Sequence, residues 1–92
     1  GPLPGRITRF LAQRNLLDKR SVTLSWSKAD HATGYNISYG TERNKLYLNH
    51  MVYSDTTLVI NSLNSNLDYY FTIESFNENG ITPNQQIVKD FE

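Results

Sequence analysis

Two histidines, nine carboxylates and no cysteine are the side chains with which this 92-residue chain could do chemistry. His31 lies in Asp30-His31-Ala32, a turn setting, and His50 lies in Asn49-His50-Met51. A metal site needs at least three converging ligands, and no further donor is spaced to join these two. Both read as solvated side chains, with at most a local hydrogen bond from His50 to Asp55, and no metal is expected. Glycoside hydrolysis requires two carboxylates facing each other about 5–10 Å apart across a cleft. Asp30, Asp55 and Asp68 fall in turns, and Glu74 falls on an outward strand position. The chain has no Gly-x-Ser-x-Gly, no thiol nucleophile and no glycine-rich phosphate loop. No catalytic residue and no cofactor follow from the sequence, and the chain is not expected to be an enzyme. Asn36-Ile37-Ser38 fits the glycosylation sequon, but it sits within a strand, so it reads as chance unless the source is eukaryotic.

The elements that would position these groups are short alternating segments separated by turn residues, the pattern of an all-β sandwich or barrel. Ile7 to Ala12 reads as a first strand that starts after Pro4, where no ladder donor is needed. Residues 13–20 read as a loop that tucks Leu16 or Leu17 into the core. Val22, Leu24 and Trp26 alternate with Thr23, Ser25 and Ser27, and Tyr35, Ile37 and Tyr39 alternate with Asn36 and Ser38 up to Gly40. Leu46 to Tyr53 is a weaker strand, and its edge is open to pairing between copies. Leu58 and Ile60 face inward. Tyr69 to Asn77 is the longest strand, closed by a tight hairpin at Glu78-Asn79-Gly80, where Asn and Gly tolerate positive φ. A last strand lies within residues 85–91, after Pro83. That gives seven strands in one domain covering residues 1–92, with residues 1–5 a linker or an appended remnant.

The formal net charge is zero, but it is unevenly spread. Residues 1–28 hold six basic side chains against Asp18, whereas residues 46–92 hold six acidic ones against Lys89. Solvated loops and edges account for this, and so would a basic side and an acidic side that attract a neighbouring module. Nucleic-acid binding is not expected without a high pI or a stacking platform. No apolar run is long enough to span a bilayer, and no signal-peptide pattern opens the chain.

These residues resemble a fibronectin type III domain. The resemblance rests on Val22-x-Leu24-x-Trp26, Tyr35-x-Ile37-x-Tyr39 and Leu58-x-Ile60-x-x-Leu63. It continues through Tyr69-x-Phe71-x-Ile73-x-Ser75-x-Asn77-x-x-Gly80 and covers residues 4–92. It implies an immunoglobulin-like seven-stranded β-sandwich. Trp26 would fill the space between the sheets, and Tyr69, six residues after Leu63, would form a tyrosine corner. A narrower similarity is carried by Tyr39-Gly40, Lys45-Leu46-Tyr47, Val52-Tyr53, Tyr69-Tyr70-Phe71 and Asn77-Glu78-Asn79-Gly80-Ile81. It is to the modules appended to secreted glycoside hydrolases of gut bacteria of the Bacteroidetes kind. That similarity implies a non-catalytic spacer or docking module of a secreted multi-domain carbohydrate-active enzyme, at the cell surface, in the periplasm or outside the cell. Its partners would be neighbouring domains of the same chain. The alternative is an autonomous extracellular domain that recognises a protein or a polysaccharide. The Arg-Gly-Asp tripeptide of adhesive members is missing from the chain.

If Tyr69, Phe71 and Ile73 point inward, then Tyr70, Thr72, Glu74 and Phe76 point outward. Tyr70, Phe76 and Tyr47 are therefore the candidate interaction surface, with Tyr53 able to join them from the neighbouring strand. Outward aromatics can stack on sugar rings, form half of a domain interface, or simply pack locally. The isolated domain is expected to be a monomer.

Overall fold

A computed structural model describes residues 1–84 and 86–90 of the chain. The alternating segments form β1 (Phe10–Arg14), β2 (Val22–Trp26), β3 (Gly34–Gly40) and β4 (Leu48–Val52), then β5 (Thr57–Ile60), β6 (Tyr70–Asn77), β7 (Gly80–Pro83) and β8 (Val88–Lys89). One antiparallel sheet has the order β1-β2-β5. The other has the order β4-β3-β6-β7, with β8 also pairing with β6. No helix occurs among the described residues. The two sheets close over a shared core as an immunoglobulin-like sandwich.

Period-two alternation decides which residues fill that core. Val22, Leu24 and Trp26 of β2 are buried and meet Tyr35, Ile37 and Tyr39 of β3 and Phe71 and Ile73 of β6. Each such side chain contributes roughly 1.5–3 kcal/mol when fully buried. Trp26 sits edge-on to Tyr35 at 5.5 Å between centroids and 6.4 Å from Phe10. The Tyr35 hydroxyl accepts the Ala29 N–H at 3.0 Å. The tyrosine corner is present: the Tyr69 hydroxyl accepts the Asn64 N–H at 2.8 Å, beside the buried Leu63.

Three sequence expectations are corrected. The first strand spans Phe10–Arg14, not Ile7–Ala12. Ile7 is buried, but the Thr8 and Arg9 amides donate to the Ser27 hydroxyl at 3.2 Å each, so the ladder with β2 ends at Phe10 opposite Trp26. Neither Leu16 nor Leu17 enters the core, since they are 61% and 98% exposed. The Asn15 side chain accepts the Leu17 and Asp18 amides, closing a local turn that throws both leucines outward. The buried residue of this segment is Arg14, which continues the inward parity of Phe10 and Ala12.

The third correction concerns the returning strand, which begins at Gly80 rather than after Pro83 and comes in two pieces. Phe76 pairs with Ile81 and Phe71 with Val88, so six residues of β6 are matched by eight of the returning chain. The surplus is taken up between β7 and β8, where the Thr72 hydroxyl donates to the carbonyls of Asn84 and Gln86 at 3.1 Å. Part of the expected range, residues 85 and 91, lies outside the described residues. The segment read as a linker packs on the domain. Asn77 and Asn79 side chains donate to the Pro2 carbonyl, Thr82 to that of Pro4 and Ser75 to that of Gly5.

Candidate functional site

The larger sheet turns one face to the core and leaves the other uncovered. The register builds that outer face row by row. Gly34 of β3 pairs with Phe76 of β6, which pairs with Ile81 of β7. In the next row Met51 of β4, Asn36, Glu74 and Pro83 lie side by side, followed by Asn49, Ser38 and Thr72. The result is an open groove of about 600 Å³ lined by Asn36, Asn49, Met51, Glu74, Phe76 and Ile81 among others. Met51 and Ile81 are each 56% exposed. The Asn36 amide donates to the Glu74 carboxylate at 3.2 Å, and Asn49 donates to Ser38 at 2.9 Å. Amide side chains and the carboxylates of Glu74 and Glu78 thus share the groove with apolar Met51, Phe76 and Ile81.

Phe76 is only half exposed, because it has a structural post. A Cβ on Gly34 would lie 2.7 Å from the Phe76 ring, so the ring lies over the bare glycine backbone. Tyr53 meets the ring edge-on at 5.8 Å and is itself 58% exposed. Tyr70, at the other end of β6, is covered by the Arg43 guanidinium 5.8 Å from its centroid. Tyr47 precedes β4, is 79% exposed and borders a separate hollow with Tyr39, Gly40 and Leu48. Of the three residues singled out by sequence, only Phe76 belongs to the groove, and the structure does not gather the three into one patch. Met51 and Ile81, which complete the groove, carry no signal of their own. They become visible only through their register with Asn36 and Phe76.

The titratable groups are scattered. His31 occupies a turn with φ of 61°. His50 is exposed on β4, its ring stacked on Tyr39 at 6.0 Å and 15°. No cluster of three His, Asp or Glu side chains able to hold a metal occurs among the described residues. Lys89, beside Tyr70 in the β6–β8 pair, is held above the ordinary lysine value by a hydrogen bond to Asp68, with which it forms an ion pair at 3.2 Å. Asp18 is held below the usual carboxylate range by Arg20. Both pairs are solvent-exposed and lie outside the groove.

The sequence profile described as Fibronectin type III domain matches residues 12–91. Among solved structures, the crystal structure of FN3tt matches with a TM-score of 0.81 at 18% identity, covering 98% of this chain and 92% of that one. An Fn3-like protein from Clostridium thermocellum matches with a TM-score of 0.79 at 16% identity, covering 98% and 91%. A fibronectin type III domain of human collagen XX matches with a TM-score of 0.74 at 18% identity, covering 92% and 90%. No curated protein matches the chain in sequence.

Proposed function

Because the chain belongs to the fibronectin type III family, a fold that supplies surfaces rather than catalytic constellations, we propose that it is a non-catalytic spacer and docking module of a longer secreted chain. The parent would be a bacterial carbohydrate-active enzyme, working outside the cell, at its surface or in the periplasm. The observation that carries this reading is the uncovered groove of the larger sheet. Its walls are the exposed apolar side chains of Met51 and Ile81, beside a half-buried Phe76 ring partly covered by Tyr53. Such surface commonly marks a contact site, and an adjoining domain is the partner always within reach of a tethered module.

A second reading is favoured by the polar side chains of the groove. Asn36, Asn49 and Glu74 offer donors and acceptors beside an aromatic ring, the mixture by which a site recognises sugar hydroxyls and ring faces. One pair of substitutions, Met51→Glu with Ile81→Glu, tests both readings. In the docking reading, the neighbouring domain of the parent chain raises the melting temperature of this one. The double variant removes that increment and leaves the isolated domain unchanged. In the recognition reading, the isolated domain is retarded in gels containing soluble polysaccharide and the double variant is not. Absence of both effects refutes the groove as a working surface.

A further inference from the structure

We propose that β4 is a self-recognition edge, at which two copies of the chain pair antiparallel about a two-fold axis through His50. Among the described residues β4 ends its sheet, with β3 on one side and no strand on the other. An open edge is a template for another strand, and proteins usually blunt it with charge, proline or brevity. The other edges here carry such devices. β7 ends in Pro83, β8 is two residues long with Lys89, and β5 is four residues long just after Asp55. The start of β1 is flanked by the exposed Arg9. The stretch 46–54 has none: it holds no Lys, Arg, Asp, Glu or Pro. Leu48 to Met51 are all exposed.

The order of residues in this stretch points to a copy of itself as the partner. In Tyr47-Leu48-Asn49-His50-Met51-Val52-Tyr53 the two ends match about a central His50, Leu48 mirrors Val52 as an apolar pair, and only Asn49 and Met51 differ in kind. With His50 opposite the partner's His50, Tyr47 falls opposite the partner's Tyr53, Leu48 opposite its Val52 and Asn49 opposite its Met51. Beyond the strand, the first charged residues on either side are Lys45, whose ammonium lies 3.9 Å from Glu42, and Asp55. Both are exposed, and they are opposite in sign. A two-fold contact requires self-complementarity of this kind. The register also keeps each face consistent, since paired residues share parity. Tyr39 already orders the His50 ring at the axis by stacking at 6.0 Å. Pairing along one short strand buries little area, so the association is weak and reversible.

The test is sedimentation of the intact domain over rising concentration up to about 1 mM, with His50→Lys and His50→Glu alone and mixed. The wild type is expected to show a reversible monomer–dimer equilibrium. Each single variant places like charges at the axis and lowers the association constant at least about tenfold, while an equimolar mixture of the two forms the heterodimer. Position 50 is exposed, and circular dichroism of each variant checks the fold. A wild type that stays monomeric throughout leaves the edge to some other chain and overturns the proposal. A dimer indifferent to both charges, or one lost in both variants and not restored by mixing, overturns the register.

Discussion

Replacing Asp90 with alanine strikes the one fully buried ionic contact among the described residues. Arg14 and Asp90 have side chains only 3% and 1% exposed, and Arg14 Nη1 donates to Asp90 Oδ2. The rest of the guanidinium is spoken for: Nε donates to the Lys19 carbonyl at 2.7 Å, and Nη2 donates to those of Asn64 and Leu67 at 2.9 and 2.8 Å. Asp90 Oδ1 accepts the Tyr69 N–H at 3.0 Å, and the guanidinium lies 5.3 Å from the Tyr69 ring centroid. The cluster therefore ties β1, the loop after it, the tyrosine corner and the end of the chain into one unit. Asp90→Ala leaves a buried cation without its counter-charge and one buried amide without an acceptor. Removing one partner of a buried pair costs about 3–5 kcal/mol, a large share of the roughly 5–14 kcal/mol expected for a domain of this size. At about 4–8 °C per kcal/mol, the melting temperature falls by roughly 12–40 °C. Urea unfolding followed by Trp26 fluorescence measures the free-energy loss, and a thermal scan measures the shift in melting temperature. Asp18→Ala, which breaks the exposed pair with Arg20, is the control and should leave the midpoint unchanged. An Asp90→Ala midpoint equal to that of the wild type would show that the three carbonyls alone hold the Arg14 charge, and the reasoning fails.

Trp26→Ala empties the site between Phe10 and Tyr35 and is expected to cost about 3–5 kcal/mol in the same urea assay. Tyr69→Phe removes only the acceptor of the Asn64 N–H and should cost roughly 0.5–1.5 kcal/mol, leaving the circular dichroism spectrum unaltered. Gly34→Ala sets a Cβ 2.7 Å from the Phe76 ring and 2.9 Å from the Val52 carbonyl oxygen. It should destabilise by about 1–3 kcal/mol, and adding Phe76→Ala should recover only part, because the carbonyl stays. Burial pushes the Tyr39 hydroxyl above its ordinary value, with Tyr69 adding to the effect and a hydrogen bond to Ser62 opposing it. The folded chain then keeps a proton that the unfolded chain loses above about pH 10, so stability falls as pH rises past that point. Tyr39→Phe should flatten this alkaline slope in urea midpoints measured from about pH 9 to about pH 11.

The parts of the fold legible in the sequence are those set by one strand at a time. Val22-x-Leu24-x-Trp26 and Tyr69-x-Phe71-x-Ile73 announce their buried face because alternation is a local property. The first strand's limits were not legible, since they depend on Ser27, nearly twenty residues away, taking the amides of Thr8 and Arg9. Arg14 was illegible for a stronger reason. An arginine at the end of an apolar alternation reads as the start of a loop, and the carboxylate that permits its burial stands 76 residues later. The outward parity of Tyr70 and Phe76 was also legible, but not their exposure. That depends on Arg43 lying over one and on Gly34 and Tyr53 receiving the other.

The two proposed surfaces meet on β4 without competing for the same groups. Met51 contributes its side chain to the groove, normal to the sheet, whereas the backbone of β4 forms the edge in the plane of the sheet. Strand pairing consumes edge amides and carbonyls and leaves outward side chains in place. Two copies joined through β4 would therefore set their grooves side by side on one continuous sheet, with the partner's Asn49 beside Met51. The two hypotheses then make different demands on the same residue. Met51→Glu should abolish contacts made across the face. In the edge pair it falls opposite the partner's neutral Asn49, and the two introduced carboxylates meet only diagonally, about 7–8 Å apart, so dimerisation should weaken less than with His50→Lys, which sets like charges directly opposite. A Met51→Glu variant that lost dimerisation as completely as His50→Lys would show that side-chain packing, not backbone pairing, joins the copies.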